Sequence, residues 1–384
     1  MPQHPSRRDA LQRLAVASAA LAGFSLIRRA RAAAPQPQTW VEGLDHPWGL
    51  AFLPDGRALV TEKAGRLLRV AAGAANQPVS GVPEVHARGQ GGLLDVAVRP
   101  EGSDLMVYLS YAEAGRGGEA GRNGTAVARG RLVGDALRDL QVIFRQTPKA
   151  ATHAHFGSRL VFDRDGLLFI TLGDRQSASE RIKAQDLGTH HGKVVRIRPD
   201  GSVPADNPFV DTPGARPEIW SFGHRNPQGA ALHPETGELW VAEHGPQGGD
   251  ELNVARKGRN YGWPRISYGC EYGAPVGRCE PVGGASSAEG LEQPVTYWVP
   301  TSIAPSGLCI HDGTMFPEWR GHAFVGALRG QALWRVALDG STATGREAMY
   351  AALGERIRDV RQGPDGALFL LTDSARGRVL RVAR

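Results

Sequence analysis

Cysteine is scarce in this chain of 384 residues, which contains three, Cys270, Cys279 and Cys309. Three cysteines at these spacings do not form a structural zinc site, because such sites use closely spaced pairs of ligands. Cys270 and Cys279 lie nine positions apart in a loop rich in glycine and tyrosine. That spacing suits a local disulfide in an oxidising compartment. Cys309 lies in an apolar stretch and is predicted to be a buried strand residue.

Several other signatures are missing as well. No glycine-rich phosphate-binding loop follows a predicted strand, which argues against folds that bind NAD, FAD or nucleotides. After the N-terminus, no apolar run approaches the roughly 20 residues that cross a bilayer, so we expect no membrane span in the mature protein. The pairs His153/His155 and His190/His191 have no third ligand at a recognisable spacing, which argues against zinc or iron.

The net charge of +6 is not spread along the chain. Six arginines and one aspartate lie within residues 1–34, which leaves 39 basic and 38 acidic residues in the remainder. This nearly neutral remainder carries no basic stripe and no RNA-binding signature. We therefore expect no nucleic-acid partner.

Residues 1–34 have the organisation of an export signal. Ser6-Arg7-Arg8 precedes an alanine-rich apolar run over 14–27, and small residues over 30–34 offer a cleavage site. The paired arginines favour the twin-arginine route. The apolar run is shorter than the roughly 20 residues of a membrane anchor, which favours cleavage. We expect a periplasmic protein in which residues 35–384 form a single catalytic domain.

Residues 35–384 contain a repeated sequence motif. It consists of an apolar alternating strand, a turn of the Pro-Asp-Gly type, a second apolar strand and a third strand ending near Arg-Val. The copies begin at Trp48, Leu93, Ser158, Gly229, Ser306 and Ile357. A twisted antiparallel sheet buries both of its faces only within a ring of such sheets. The sequence therefore predicts an all-β fold, a six-bladed β-propeller of four-stranded antiparallel blades. A β-sandwich or two all-β domains are the alternatives.

Polar and charged residues gather in the connections between these strands. Arg356 and Arg358 alternate along one predicted first strand, so both point to the same side. Inside a propeller channel they are like charges in a confined space, which favours an anionic ligand; an ordinary solvated pair is the alternative. Asp250 and Glu251 lie among carbonyl-rich turns that suit calcium, although an ordinary acidic turn has the same composition.

These connections resemble those of the soluble glucose dehydrogenase and aldose sugar dehydrogenase family, which depends on pyrroloquinoline quinone (PQQ). The resemblance covers nearly everything after Thr39. Its carriers are Gly-His-Arg-Asn-Pro-Gln-Gly (223–229), Glu-His-Gly-Pro followed by Asp-Glu-Leu-Asn (243–253), Asn-Tyr-Gly-Trp-Pro (260–264), Gln-Gly-Gly-Leu-Leu (90–94), His155 before Arg159-Leu160, and Arg-Ile-Arg-Asp (356–359).

The resemblance implies roles for particular residues. His155 takes the place of the general base, and Arg225 that of a residue stabilising charge on the quinone oxygen. The positions that meet the cofactor are Gln90, Arg225, Asn226, Arg329, Arg356 and Arg358. The carbonyls of Gly245 and Pro246 correspond to ligands of the calcium that touches PQQ. Glu251 and Tyr261 correspond to residues that hold a further calcium.

The implied activity is oxidation of an aldose sugar at its anomeric carbon to a lactone, with electrons passed to an external acceptor by a monomer or homodimer. Two positions depart from the glucose-specific members, which have an acidic residue at Ala154 and a lysine at Arg329. These departures bear on substrate choice and cofactor affinity. A calcium-dependent propeller lactonase and a non-catalytic propeller that binds glycans or proteins stay open as alternatives, since a fold does not fix a function.

Overall fold

The computed structural model describes residues 35–384, which form six four-stranded antiparallel sheets arranged as the blades of a β-propeller. The predicted fold class is thereby confirmed. The predicted export signal, residues 1–34, lies outside the described residues. Within 35–384, no helix has the length and apolar composition needed to cross a bilayer.

Each blade uses four strands that follow one another along the chain, except at the closure of the ring. Blades 1 and 2 contain β2 (Pro47–Phe52), β3 (Ala58–Glu62), β4 (Arg66–Val70), β5 (Gln77–Val79), β6 (Leu93–Glu101), β7 (Asp104–Ala114), β8 (Asn123–Val133) and β9 (Ala136–Arg145). Blades 3 and 4 contain β10 (Leu160–Phe162), β11 (Leu168–Leu172), β12 (Lys193–Ile197), β13 (Ile219–Phe222), β14 (Pro227–Leu232), β15 (Leu239–Glu243), β16 (Asp250–Val254) and β17 (Thr296–Trp298). Blades 5 and 6 contain β18 (Pro305–Ile310), β19 (Ala323–Ala327), β20 (Ala332–Asp339), β21 (Thr342–Met349), β22 (Ile357–Gln362), β23 (Leu368–Thr372), β24 (Gly377–Val382) and β1 (Gln38–Leu44). Helical structure is limited to α1 (Ala178–Arg181) and the 3-10 turns Gly117–Glu119, Ile182–Gln185, Pro317–Trp319 and Ala351–Leu353.

The ring closes through its first described strand. β1 is the outermost strand of blade 6 and pairs with β24, so that Thr39 lies opposite Leu380. Main-chain hydrogen bonds therefore join the two ends of the propeller. The repeats did not predict β1, because no copy of the repeated sequence motif contains it.

The Pro-Asp-Gly turns join first to second strands as the sequence predicts. In blade 1 the amide of Leu53 donates to the Arg57 carbonyl at 2.7 Å, and Gly56 adopts a φ of 83°. A glycine suits this left-handed backbone position because it has no Cβ to clash. Short turns of this kind keep the connection between first and second strands compact.

Apolar side chains pack between neighbouring blades rather than in one central cluster. Leu59 and Leu67 of blade 1, for example, share a buried cluster with Val96 and Leu109 of blade 2. This arrangement leaves the innermost strands free to carry polar groups toward the axis.

The catalytic and cofactor-binding residues implied by the resemblance lie at one end of the ring, which we call the upper face. It is the end at which the first strand of each blade begins and the second strand ends. His155, Arg225 and Arg356 precede first strands, and Gly245 follows the second strand β15. The long connection 255–295 also reaches this face, since Cys270 forms a β-bridge with Gln247.

Candidate active site

A buried histidine–aspartate pair lies at the centre of the upper face. His155 Nδ1 lies 2.7 Å from Asp174 Oδ1, and the second carboxylate oxygen accepts a hydrogen bond from Trp263 Nε1 at 2.7 Å. A carboxylate only accepts, so Nδ1 carries the proton and Nε2 is the basic nitrogen. Gln90 Oε1 accepts the His155 amide at 2.8 Å, which fixes the backbone at its left-handed φ of 51°.

The surroundings of this pair keep His155 neutral. Burial lowers the pKa of the imidazole, the Arg225 charge lowers it further, and Asp174 opposes both effects. Burial raises the pKa of Asp174, but His155 and its hydrogen bond outweigh that effect and hold the carboxyl below its usual pKa. A neutral, oriented imidazole next to an ionised carboxylate is the arrangement of a general base.

His153 has different neighbours, although an extended segment would place it on the same side as His155. Its Nδ1 accepts from Asn123 Nδ2 at 3.1 Å and lies 3.2 Å from His86 Nε2. The positive φ of His155 turns the chain between the two histidines. His153 therefore does not duplicate the position of His155.

Arg225 is held above the same centre by aromatic rings and carbonyls. Its Nη1 donates to the carbonyls of His244 and Gly245 at 3.0 and 2.6 Å. The guanidinium carbon lies 5.2 Å from the Trp263 ring centroid and 5.9 Å from that of Tyr272. The next residue, Asn226, uses Oδ1 to accept the Gly157 amide at 3.1 Å, a contact that joins this turn to the His155 loop.

Arg356 and Arg358 share a carboxylate that the sequence analysis did not consider. Both donate to Asp373 Oδ2 at 2.9 Å. Burial raises the pKa of Asp373, but Arg358 and the hydrogen bonds from His46 and Arg356 outweigh it and hold that pKa well below its usual range. The pair therefore carries one net positive charge with Asp373, rather than two unpaired charges.

Four buried nitrogens around this centre have no hydrogen-bond partner within the described residues. They are Arg225 Nε, Asn226 Nδ2, His244 Nε2 and Arg358 Nε. Burial lowers the pKa of His244 well below its usual value, and the neighbouring guanidinium groups of Arg225 and Arg358 add to this effect. The His244 amide donates to the Asn226 carbonyl at 3.2 Å, and its carbonyl accepts from Arg225 Nη1, so these residues lie together. Arg225 Nε, Asn226 Nδ2 and Arg358 Nε are donors that require an acceptor, and their positive surroundings fit an anionic ligand rich in carboxylates. Neutral His244, which is hydrogen-bonded to the Pro305 backbone through its other ring nitrogen, offers Nε2 as an acceptor.

The four residues implied as calcium ligands line one small cavity together with Arg225, Glu243 and His244. Its volume is about 20 Å³, enough for one ion or water. Burial raises the pKa of Glu251 to about 8, and the neighbouring Glu243 adds to the effect. Within residues 35–384 no three His, Cys, Asp or Glu side chains group to hold a metal, so a cation here would draw on main-chain oxygens such as that of Gly245. The crowded carboxylates and lining carbonyls fit such a cation.

Two details constrain that cavity. The Tyr261 hydroxyl donates to the Val254 carbonyl and accepts the Arg256 amide at 2.8 Å, so this hydroxyl is already engaged. Both carboxylate oxygens of Asp250 accept hydrogen bonds, from Gly245 N at 2.9 Å and from Ile303 N at 2.6 Å among others. Asp250 therefore organises two loops, and the acidic pair Asp250-Glu251 does not act as one ligand set.

Arg329 lies apart from the buried donors. Its side chain is exposed in the turn between β19 and β20. The preceding Leu328 carbonyl accepts a hydrogen bond from Arg356 Nη1 at 3.4 Å, which puts this turn beside the Arg356–Arg358 pair.

Below the site, a network of ion pairs closes the axis of the ring. Arg159 Nη1 lies 3.1 Å from both Asp95 and Asp359, and Arg361 bridges the same two carboxylates at 2.7 and 2.8 Å. The first strands of three blades, or the residues directly before them, supply these groups. Arg159 also donates to the Arg358 carbonyl at 3.2 Å, which ties the network to the strand that carries Arg358.

Comparison with known proteins identifies the family of this chain. The family model for glucose/sorbosone dehydrogenase matches residues 44–381. The chain belongs to this family. It is 46% identical over 345 residues to the aldose sugar dehydrogenase YliI of Escherichia coli (strain K12), covering 88% of this chain and 90% of that protein.

Solved structures of the glucose/sorbosone dehydrogenase family agree. A glucose dehydrogenase crystal structure superposes with a TM-score of 0.85 at 46% identity, covering 91% of this chain and all of that one. The PQQ-bound aldose sugar dehydrogenase of Streptomyces coelicolor gives a TM-score of 0.74 at 30% identity, covering 90% of this chain and 96% of that one.

The sequence analysis did not identify three residues of this site. Asp174 follows β11 in an ordinary Gly-Asp-Arg turn, and Asp373 follows β23 in the same way. Their shared position, directly after a second strand, is the signal that would have found them. His244 stood inside a motif used for the resemblance, but no role was assigned to it.

Proposed function

We propose that this protein oxidises aldose sugars at the anomeric carbon with bound PQQ and calcium, yields a lactone, and passes the electrons to an external acceptor. The observation that carries this proposal is the convergence, on one buried centre, of an Asp174-oriented His155 and unpartnered nitrogens of arginine, histidine and asparagine. The family membership and the PQQ-bound relative support the same choice of chemistry.

PQQ, when bound, supplies a quinone that accepts two electrons from the sugar, together with three carboxylates that need cationic partners. The donors left over on Arg225, Asn226 and Arg358 would hold these carboxylates. Hydrogen bonds between charged groups in a buried site are short and strong, which suits a cofactor that stays bound through turnover.

His155 would take the proton of the sugar's anomeric hydroxyl through Nε2. The hydrogen bond from Nδ1 to Asp174 holds the ring in the required tautomer and stabilises the imidazolium that results. Because burial and Arg225 keep the resting imidazole neutral, the base is available at neutral pH.

Arg225 would stabilise negative charge that develops beside it. Its guanidinium is already fixed by two carbonyls and two aromatic rings, so little reorganisation accompanies the reaction. Calcium in the cavity lined by Gly245, Pro246, Glu251 and Tyr261 would add a second positive charge on the same side.

Export to the periplasm belongs to the same proposal and rests on the residue pattern of 1–34. Changing Arg7 and Arg8 together to lysine is expected to block export, since the twin-arginine route requires the pair. Normal export of that variant would contradict the route.

Reconstitution tests the function. Purified protein is supplied with PQQ and calcium, singly and together, and then with glucose and a dye acceptor. Dye reduction that needs both additions supports the proposal. Hydrolysis of a lactone without PQQ would instead identify a propeller lactonase, and binding of glycans with neither activity would identify a non-catalytic propeller. The axial carboxylates Asp95 and Asp359 are paired with arginines, which disfavours the lactonase.

A further inference from the structure

A disulfide-closed loop borders the site, and none of the roles above uses it. Cys270 and Cys279 are joined, which closes residues 270–279. The main chains of Cys270 and Gln247 exchange two hydrogen bonds, at 2.9 and 3.1 Å. The Gln247 side chain also donates to the Ala274 carbonyl at 2.5 Å and accepts the Gly273 amide at 3.2 Å. The loop is therefore fixed to the connection that carries Gly245.

A second attachment joins the loop to the other side of the site. Glu271 pairs with Arg181 at 2.6 Å, and the guanidinium carbon of Arg181 lies 5.8 Å from the Trp263 ring centroid. Arg181 belongs to the connection that also contains Asp174. The loop thus spans from the arginine side of the site to the histidine–aspartate side.

This well-anchored loop presents one exposed aromatic ring. Tyr272 is 63% exposed, whereas every other Phe, Tyr and Trp within residues 35–384 is buried or half-buried. Its hydroxyl accepts a hydrogen bond from Arg225 Nη2 at 3.4 Å, and its ring lies 5.9 Å from that guanidinium. Tyr272 is thus an exposed ring held beside the proposed catalytic arginine.

We propose that Tyr272 is a substrate-binding residue whose ring packs against the C–H face of the sugar. The inference rests on the proposed function above. A sugar ring offers an apolar C–H face and a polar rim, and a tyrosine offers a flat apolar face with a polar tip. Arg225 lies beside the hydroxyl tip and one side of the ring, and the exposed remainder of the ring is the part left for the ligand. The loop anchors fix the ring in place before the sugar arrives, which limits the entropy lost on binding.

The test compares Tyr272→Ala, Tyr272→Phe and the control Val276→Ala, a 59% exposed residue of the same loop. We expect Tyr272→Ala to raise KM for the sugar about 3- to 10-fold with little change in kcat. Tyr272→Phe keeps the ring and is expected to stay within about twofold of wild type, as is Val276→Ala. Saturation-transfer NMR on the PQQ-loaded protein gives a readout without turnover: sugar signals weaken in Tyr272→Ala alone.

Two results would overturn the inference. Unchanged KM and NMR signals in Tyr272→Ala would remove Tyr272 from sugar binding. A fall in PQQ affinity or kcat at constant KM would show that Tyr272 positions Arg225 or the cofactor instead. Wild-type protein is assayed in parallel, since failure of the wild type to oxidise any sugar contradicts the proposed function and not the assignment of Tyr272.

Discussion

Replacing Asp174 with asparagine tests whether this carboxylate sets the tautomer of His155. The asparagine side chain has nearly the same shape, but only its carbonyl oxygen accepts, whereas Asp174 accepts from Trp263 Nε1 at one oxygen and faces His155 Nδ1 with the other. With the carbonyl oxygen turned to Trp263, the NH₂ group faces Nδ1 and donates to it. The imidazole proton is then expected to move to Nε2, which removes the basic nitrogen from the substrate side. The lost contact is a 2.7 Å hydrogen bond to a charged, fully buried group. Such bonds contribute about 1.5–3 kcal/mol, which corresponds to a loss of about 10- to 150-fold in kcat/KM.

The pH profile gives a second readout of the same variant. Activity requires neutral His155 and is lost as the pH falls through its pKa. Burial and Arg225 lower that pKa, whereas Asp174 raises it. Removing the carboxylate charge therefore lowers the pKa further, and the acidic limb of kcat/KM is expected to move to lower pH while the plateau falls.

The assay is dye reduction by protein reconstituted with PQQ and calcium, measured across pH. Asp186→Asn, an exposed carboxylate of the same connection, is the matched control and is expected to leave rate and profile unchanged. PQQ titration and thermal melting separate lost chemistry from lost folding. Wild-type kcat/KM with an unmoved acidic limb in folded, PQQ-loaded Asp174→Asn would refute the assigned role.

Three further predictions concern binding and stability. Arg358→Ala is expected to weaken PQQ binding about 10- to 150-fold in a fluorescence titration, because it removes charge-assisted hydrogen bonds; unchanged affinity would contradict its placement. Calcium at 100 times its Kd is expected to stabilise wild-type protein by about 2.7 kcal/mol and so to raise its melting temperature. This rise should be lost in Glu251→Gln but kept in the control Glu292→Gln, whose carboxylate pairs with Arg256 and Arg259. Arg159→Leu leaves Asp95 and Asp359 with Arg361 alone and is expected to cost about 3–5 kcal/mol in denaturant unfolding; a change below about 1 kcal/mol would show that the axial network contributes little.

The blades could be predicted from sequence because their signals are local. Alternating apolar residues and Pro-Asp-Gly turns repeat within each blade, and the strands formed at those places. Most family motifs likewise lie directly before a first strand or after a second strand, so their gathering on one face followed from the antiparallel order of the strands. Asn-Tyr-Gly-Trp-Pro (260–264) instead reaches that face through the long connection 255–295.

The missing parts depend on contacts between distant residues. Arg361 and Asp95 are 266 positions apart, and nothing in either segment marks them as partners. Asp373 changes the electrostatics of Arg356 and Arg358 from a turn beyond the next strand. β1 joins the last blade although it precedes the first, since its partner β24 is at the other end of the chain.

The central claim is that His155 takes a proton from a sugar that bound PQQ oxidises. It is tested most directly by adding sugar, without any dye or oxygen, to PQQ- and calcium-loaded protein and following the cofactor's absorbance in a stopped-flow instrument. We predict rapid reduction of the cofactor in wild-type protein and reduction about 10²- to 10⁴-fold slower in His155→Gln that binds PQQ normally. Equal rates in the two proteins, or no reduction in the wild type, would contradict the account.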